Sequence, residues 1–153
     1  MLQTTFKTQY NLLTYAAYTR LKSADNNWAA LSRNDQELAA LWILERDMHN
    51  GGFLRFIGSE DEQCLSCAIR ALKKVNAKEC LSALAKLSAI IESLRNLHLH
   101  LPASEVFAYL TDEERETIDL QNLLYLNNSD HLNEQIFKEY GSNNNQRRAS
   151  LFW

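Results

Sequence analysis

Glu45, Asp47 and His49 fall within five consecutive residues and are the side chains best suited to acid–base chemistry. Carboxylates and an imidazole could move a proton near neutral pH if one helical pocket gathered them around a substrate. That would make the chain a small hydrolase-like or metal-dependent enzyme, although spacing identifies no nucleophile with its own base. Cys64 and Cys67 form a C-x-x-C pair, and Cys80 with His98 or His100 could complete a zinc site on paper. The pair lies in an amphipathic helical stretch rather than a knuckle, which favours buried structural thiols. His98 and His100 sit in a loop without an assigned carboxylate, and no glycine-rich loop is present to cradle a phosphate. No metal and no cofactor is expected.

A second set of residues suggests binding rather than catalysis. Asp112, Glu113, Glu116, Asp119, Asp130 and Glu134 cluster near the C-terminal end. Asp112, Glu116 and Asp119 recur at i, i+4 and i+7, so one helix face lines up three carboxylates. Neighbours at that spacing lie about 5–6 Å apart at Cβ and repel by a few tenths of a kcal/mol. Acids early in a helix also favour its dipole, so a solvated helix start is one explanation of the row. The other is an acidic face for a basic partner. Glu134 is the weaker member, with Lys138 four residues on to neutralise it.

The charge pattern around this row is uneven. The formal net charge is only −3. Residues 103–140 nevertheless carry nine acidic against two basic side chains, and residues 35–62 seven against two. Residues 1–34 and 63–102 are net basic. Arg70, Lys73, Lys74 and Lys78 lie along and just beyond one helix without interleaved aromatics, which suggests a solvated face rather than a nucleic-acid site.

The elements that must position these groups are helices. At 153 residues the chain is long enough for one domain with a real core. Hydrophobic residues make up 46% and charged residues 23%, an ordinary balance for a soluble protein, and one proline with four glycines leaves long helices uninterrupted. No apolar run approaches the roughly 18 residues that would span a bilayer. The N-terminus lacks a signal-peptide pattern, and an odd cysteine count argues against a disulfide framework, so a cytoplasmic protein with free thiols and no membrane contact is expected.

Apolar spacing and capping signals predict helices over Tyr10 to Leu21, Ser32 to about His49, Ser59 to about Val75, Asn76 to about Leu94, Thr111 to about Leu126, and Asp130 to about Tyr140. Ser32 with Asp35 is the expected cap of the central helix. Ser59 with Glu62, Asn76 with Glu79, and Thr111 with Glu114 fit the capping-box pattern. A short turn is expected at Trp28 to Leu31, and Pro102 suits a new first turn. Residues 141–153 form an expected frayed tail, oddly apolar at Leu151-Phe152-Trp153. The fold class is all-α, a single compact bundle of six to eight helices spanning 1–153.

The central helix ends at Asn50-Gly51-Gly52, and the chain restarts at once in the aromatic turn Phe53 to Phe56. Two adjacent glycines favour a chain reversal in which at least one takes positive φ. Leu38, Leu41, Trp42, Glu45 and Met48 share one face of the preceding helix, which places Glu45 on an apolar stripe. A buried carboxylate needs partners, and the unpaired N–H groups of the helix restarting near Gly52 are the expected donors.

Trp42, Glu45, Asn50, Gly51, Gly52, Phe53 and Phe56, in this order within 42–58, resemble the signature of a bacterial family of small helical, DNA-mimic-like proteins. Residues 68–91 look like that family's next helix pair, and the acidic stretch 111–140 like its C-terminal pair. The chain departs from the pattern after Phe56, with Ile57-Gly58 where the family often carries another aromatic and an Asn. The resemblance implies a non-enzymatic protein that binds a basic partner, either a transcription factor or a toxin effector domain, without touching nucleic acid itself. In the second case the chain would be an immunity protein. The resemblance also implies a homodimer, for which Tyr15, Tyr18, Trp28 and Leu151-Phe152-Trp153 are the aromatic surface candidates. A row of carboxylates at helical spacing is sparser than DNA phosphates, about 3.4 Å apart along each strand, so full mimicry needs a second row or a second subunit. The alternatives are the enzyme built on Glu45, Asp47 and His49 and a purely structural dimerisation module.

Overall fold

The computed structural model describes residues 2–59 and 62–141, and these are helical almost throughout. Helix α1 (Leu2–Ser23) begins well before the expected Tyr10, in a stretch where Thr4, Thr5 and Thr8 give a poor local helix signal. The chain turns through Asp25 and Asn26, both at positive φ, into a 3-10 turn at Trp28–Ala30. Ser32 then caps α2 (Arg33–Asn50), its hydroxyl accepting the Asp35 N–H at 3.2 Å.

Helix α2 is the axis of the molecule. Leu38, Leu41, Ile43, Leu44 and Met48 are buried along it, and Ala39 and Ala40 let neighbouring helices approach closely. Each such Leu, Ile or Met contributes about 1.5–3 kcal/mol by leaving water. Helices α1, α3 (Phe53–Ser59) and α4 (Glu62–Lys74) pack against α2. Helix α5 (Lys78–Leu97) carries α7 (Asp112–Asn127), which also touches α2, while α8 (Ser129–Ile136) lies along α1. A short α6 (Ala103–Val106) follows Pro102 and leads through a 3-10 turn at Phe107–Tyr109 into α7. After α8 the backbone makes a π-helical turn over Phe137–Gly141 rather than continuing as one α-helix to Tyr140. The architecture is the expected all-α bundle.

Several local expectations are corrected. Asn76 does not cap α5; it sits at φ 58°, closing α4, while the Ala77 N–H returns to Leu72 O at 3.0 Å. Asn tolerates this left-handed backbone, which is why it serves the end of one helix rather than the start of the next. Trp28 is buried, not a surface aromatic, because its 3-10 turn folds onto the core and Gln36 donates to its carbonyl at 2.8 Å. The Thr111–Glu114 capping box is formed on both sides, at 3.1 and 3.0 Å. Residues 142–153, including Leu151-Phe152-Trp153, lie outside the described residues, as do Glu60 and Asp61. Among the described residues no helix is long and apolar enough to cross a membrane.

Candidate functional site

The reversal after α2 is built on Gly52. Its φ of 80° is the left-handed region, and its N–H returns to Asp47 O at 2.9 Å. Gly51 is extended, at φ 167°. The first N–H of α3, on Phe53, is satisfied from across the bundle by Asn122 Oδ1 of α7 at 3.2 Å. Asn122 crowds the turn, and a Cβ on Gly52 would lie 2.5 Å from its Nδ2. Phe53 and Phe56 are fully buried with ring centres 6.2 Å apart, whereas Asn50 is exposed and its carbonyl accepts from Arg55 at 3.2 Å. Trp42 is half-buried, stacked on Tyr18 at 4.0 Å with the Arg46 guanidinium over its ring.

Glu45 is buried, as the apolar stripe predicts, but its partners are not the N–H groups near Gly52. Tyr125 of α7 donates to Oε1 at 2.7 Å, and Ser129 at the start of α8 donates to Oε2 at 2.8 Å. His49 Nε2 lies 3.3 Å from the same Oε2. The favourable helix dipole is therefore that of α8, not α3. Glu45 fastens α2 to α7 and α8. Burial and the nearby Glu45 charge push the Tyr125 phenol far above its ordinary value, so it stays a donor. The Cys80 thiol is likewise pushed up to about 12 by burial, then by Glu45 and Glu79.

The acid–base grouping predicted from sequence is only partly assembled. Glu45 and His49 line one open pocket of about 280 Å³ with Ser129. Asp47 does not join them; it is fully buried, 3.0 Å from Arg46 Nε and 3.6 Å from Arg55 Nε. His49 Nε2 faces both Ser129 Oγ, at 3.4 Å, and Glu45, at 3.3 Å. A relay needs the two ring nitrogens to serve different partners. Here the shorter contact of the serine hydroxyl is to the carboxylate, at 2.8 Å, rather than to the imidazole.

A third buried carboxylate was not singled out by the sequence pattern. Glu37 is 1% exposed and accepts from Tyr140 at 2.7 Å, Arg70 at 2.8 Å and Lys74 at 3.3 Å. Burial pushes its carboxyl up, but the bonds from Tyr140 and Arg70 and the Lys74 charge outweigh that and hold it below the usual carboxylate range. Arg70 and Lys74 are thus drawn to Glu37 rather than forming a purely solvated face. The acidic run 35–62 is correspondingly not a surface at Glu37, Glu45 and Asp47.

The C-terminal acidic row lies differently. Asp112, Glu113, Glu116 and Asp119 are all exposed on α7, and none has a salt-bridge partner among the described residues. Leu120, Leu123 and Leu124, 54%, 54% and 42% exposed, extend this outer face toward the end of the helix. Asp130 is exposed at the first turn of α8, while Glu134 meets Lys138 at 2.8 Å, which holds its carboxyl below the usual range. The exposed leucines were missed because Leu123 and Leu124 read as helix core by composition alone.

Cys64, Cys67 and Cys80 are buried free thiols, and His98 stacks on Tyr109 at 4.2 Å. Among the described residues no group of three His, Cys, Asp or Glu side chains could hold a metal ion. Tyr15 is exposed and Tyr18 half-buried against Trp42.

Residues 29–143 match the family described as DMP19-like protein. No match was found among curated proteins or among solved structures.

Proposed function

The chain belongs to the DMP19-like protein family, and we propose from this premise that it is a non-enzymatic binding protein. The outer face of α7 occupies the basic, nucleic-acid-reading or active-site surface of a partner protein. One observation carries this. Glu37, Glu45 and Asp47 of the 35–62 run are turned inward and held by partners, whereas Asp112, Glu113, Glu116 and Asp119 are turned outward with no salt-bridge cation among the described residues. Like charges left unpaired along a helix cost stability, and a basic partner would turn that cost into attraction.

Spacing sets how such a face meets its partner. With a rise of about 1.5 Å per residue, Asp112, Glu116 and Asp119 follow one another at roughly 6 and 4.5 Å along the axis. DNA phosphates follow at about 3.4 Å per strand, so a second copy of this chain supplies the rest of the charge pattern. Tyr15, exposed beside Trp42, is the aromatic candidate for that contact. The partner is a transcription factor or a toxin effector domain, and in the second case the chain acts as its immunity protein.

The test is competition. A basic protein captured by this chain from its native cell should release its nucleic acid, or lose its catalytic activity, as the chain is added. Capture that leaves both nucleic-acid binding and activity intact would overturn the proposal.

A further inference from the structure

The pocket over Glu45 holds the second feature that points to a ligand. Asn133 of α8 lines it, is only 4% exposed, and its Oδ1 has no hydrogen-bond partner among the described residues. A buried acceptor left without a donor is costly to the fold unless something reaches it. Asp130, one helical turn earlier, lines the same pocket from its rim, and Glu45 lies in its floor. Arg46 also lines the pocket, but its guanidinium is drawn to the buried Asp47 carboxylate at 3.0 Å, which it shares with Arg55 at 3.6 Å. The exposed Asp130 carboxylate has no salt-bridge partner among the described residues, whereas Glu45 is met by Tyr125, Ser129 and His49; both lie beside the unpartnered Asn133 oxygen, walled by Trp42 and Leu126.

At about 280 Å³ the space falls just below the range of roughly 300–1,000 Å³ typical of small-molecule sites, which suits one side chain better than a metabolite. We propose that this pocket receives a single basic side chain, an arginine or lysine, from the partner protein, with Asp130 and the Asn133 amide as its acceptors and Glu45 as the fixed charge behind them. It gives the partner a keyed anchor, while the α7 face supplies long-range attraction. The inference rests on the reading of the partner as basic.

The experiment uses the intact protein and defined probes. Nα-acetyl-arginine methylamide and Nα-acetyl-lysine methylamide are titrated into isotopically labelled protein, with Nα-acetyl-norleucine methylamide as the uncharged control. The Trp42 indole and Asn133 side-chain amide signals should shift saturably with one or both basic probes and not with norleucine. The better of the two identifies the anchoring residue type. Asp130 is exposed, so Asp130→Asn should fold normally and weaken the binding roughly two- to fivefold, as for a partly solvated charge pair. No saturable shift, an equal response to norleucine, or unchanged binding in Asp130→Asn each overturns the pocket. The α7 variant with Asp112→Asn, Glu116→Gln and Asp119→Asn should leave these titrations unchanged. If the titrations fail while that variant still slows partner association, only the pocket is wrong. If they succeed while that variant has no effect on association, the α7 face is wrong and the pocket stands.

Discussion

The Tyr125 hydroxyl donates to Glu45 Oε1 at 2.7 Å, joining α7 to α2 between positions 80 residues apart. Ser129 completes the clamp from α8, so the helix bearing the exposed acids is anchored to the central helix through a buried carboxylate. Tyr125→Phe keeps the ring's packing and removes one donor from that carboxylate. A hydrogen bond to a charged group contributes about 1.5–3 kcal/mol. At this chain length 1 kcal/mol moves the melting temperature by roughly 2–4 °C. Calorimetry should therefore show a drop of several degrees for Tyr125→Phe and for Glu45→Gln. An unchanged Tm in both would mean the clamp carries no stability.

The two glycines of the central turn should respond unequally. Gly52 combines φ 80° with a Cβ position 2.5 Å from Asn122 Nδ2, so Gly52→Val meets both backbone strain and a clash with the side chain that caps α3. The cost should exceed the roughly 1 kcal/mol of a simple glycine effect. Gly51 is extended, and its added Cβ would lie 2.9 Å from Arg55 Cδ, which can swing away, and 3.1 Å from Arg55 Cβ, which must give by only a few tenths of an ångström. Urea denaturation of Gly51→Ala and Gly52→Ala should rank Gly52 as the costlier position, and the reverse order would contradict this account of the turn.

Glu37 makes folding stability depend on acid. Its carboxyl is held below its ordinary value of 4.5 in the folded chain, so the folded state prefers the ionised form. That contribution is fully present above the unfolded value and is lost as pH falls through the lower folded one. Glu37→Gln should be destabilising at pH 7, with the gap from the parent closing as pH drops below about 4.5. Denaturant midpoints across pH 2.5–7 would check it, and a gap independent of pH would show that Glu37 acts through shape rather than charge.

The sequence shows the helices, the Ser32 and Thr111 caps and the Gly51-Gly52 reversal because each depends on residues within one turn of one another. It shows that Glu45 is buried, because one helical period places it among Leu38, Leu41 and Met48. Its partners stay hidden, since Tyr125 and Ser129 arrive from helices whose packing no local pattern encodes. Glu37 stands eight residues before Glu45 on the same face, so the stripe could have exposed it, had burial been weighed for both carboxylates. The burial of Asn133 and the inward turn of Asp47 are likewise tertiary facts. A charge count cannot distinguish a paired interior carboxylate from a solvated one.

The α7 face gives the most direct functional test. Asp112, Glu116 and Asp119 are exposed and have no cation among the described residues, so changing them to Asn, Gln and Asn removes three charges at nearly constant shape. Stability should shift by no more than tenths of a kcal/mol per site, because these charges make no internal bond that the fold needs. Association with the captured partner should slow markedly at low salt and far less at high salt, since exposed charges act mainly by steering the encounter. Dissociation should change less, being set by packing such as that of Leu120, Leu123 and Leu124. Leu123→Ser should show the opposite pattern, with faster dissociation and little salt dependence. If the triple variant associates as quickly as the parent at low salt, its carboxylates are only the solvated start of a helix. The working surface would then have to be sought on another face of the bundle.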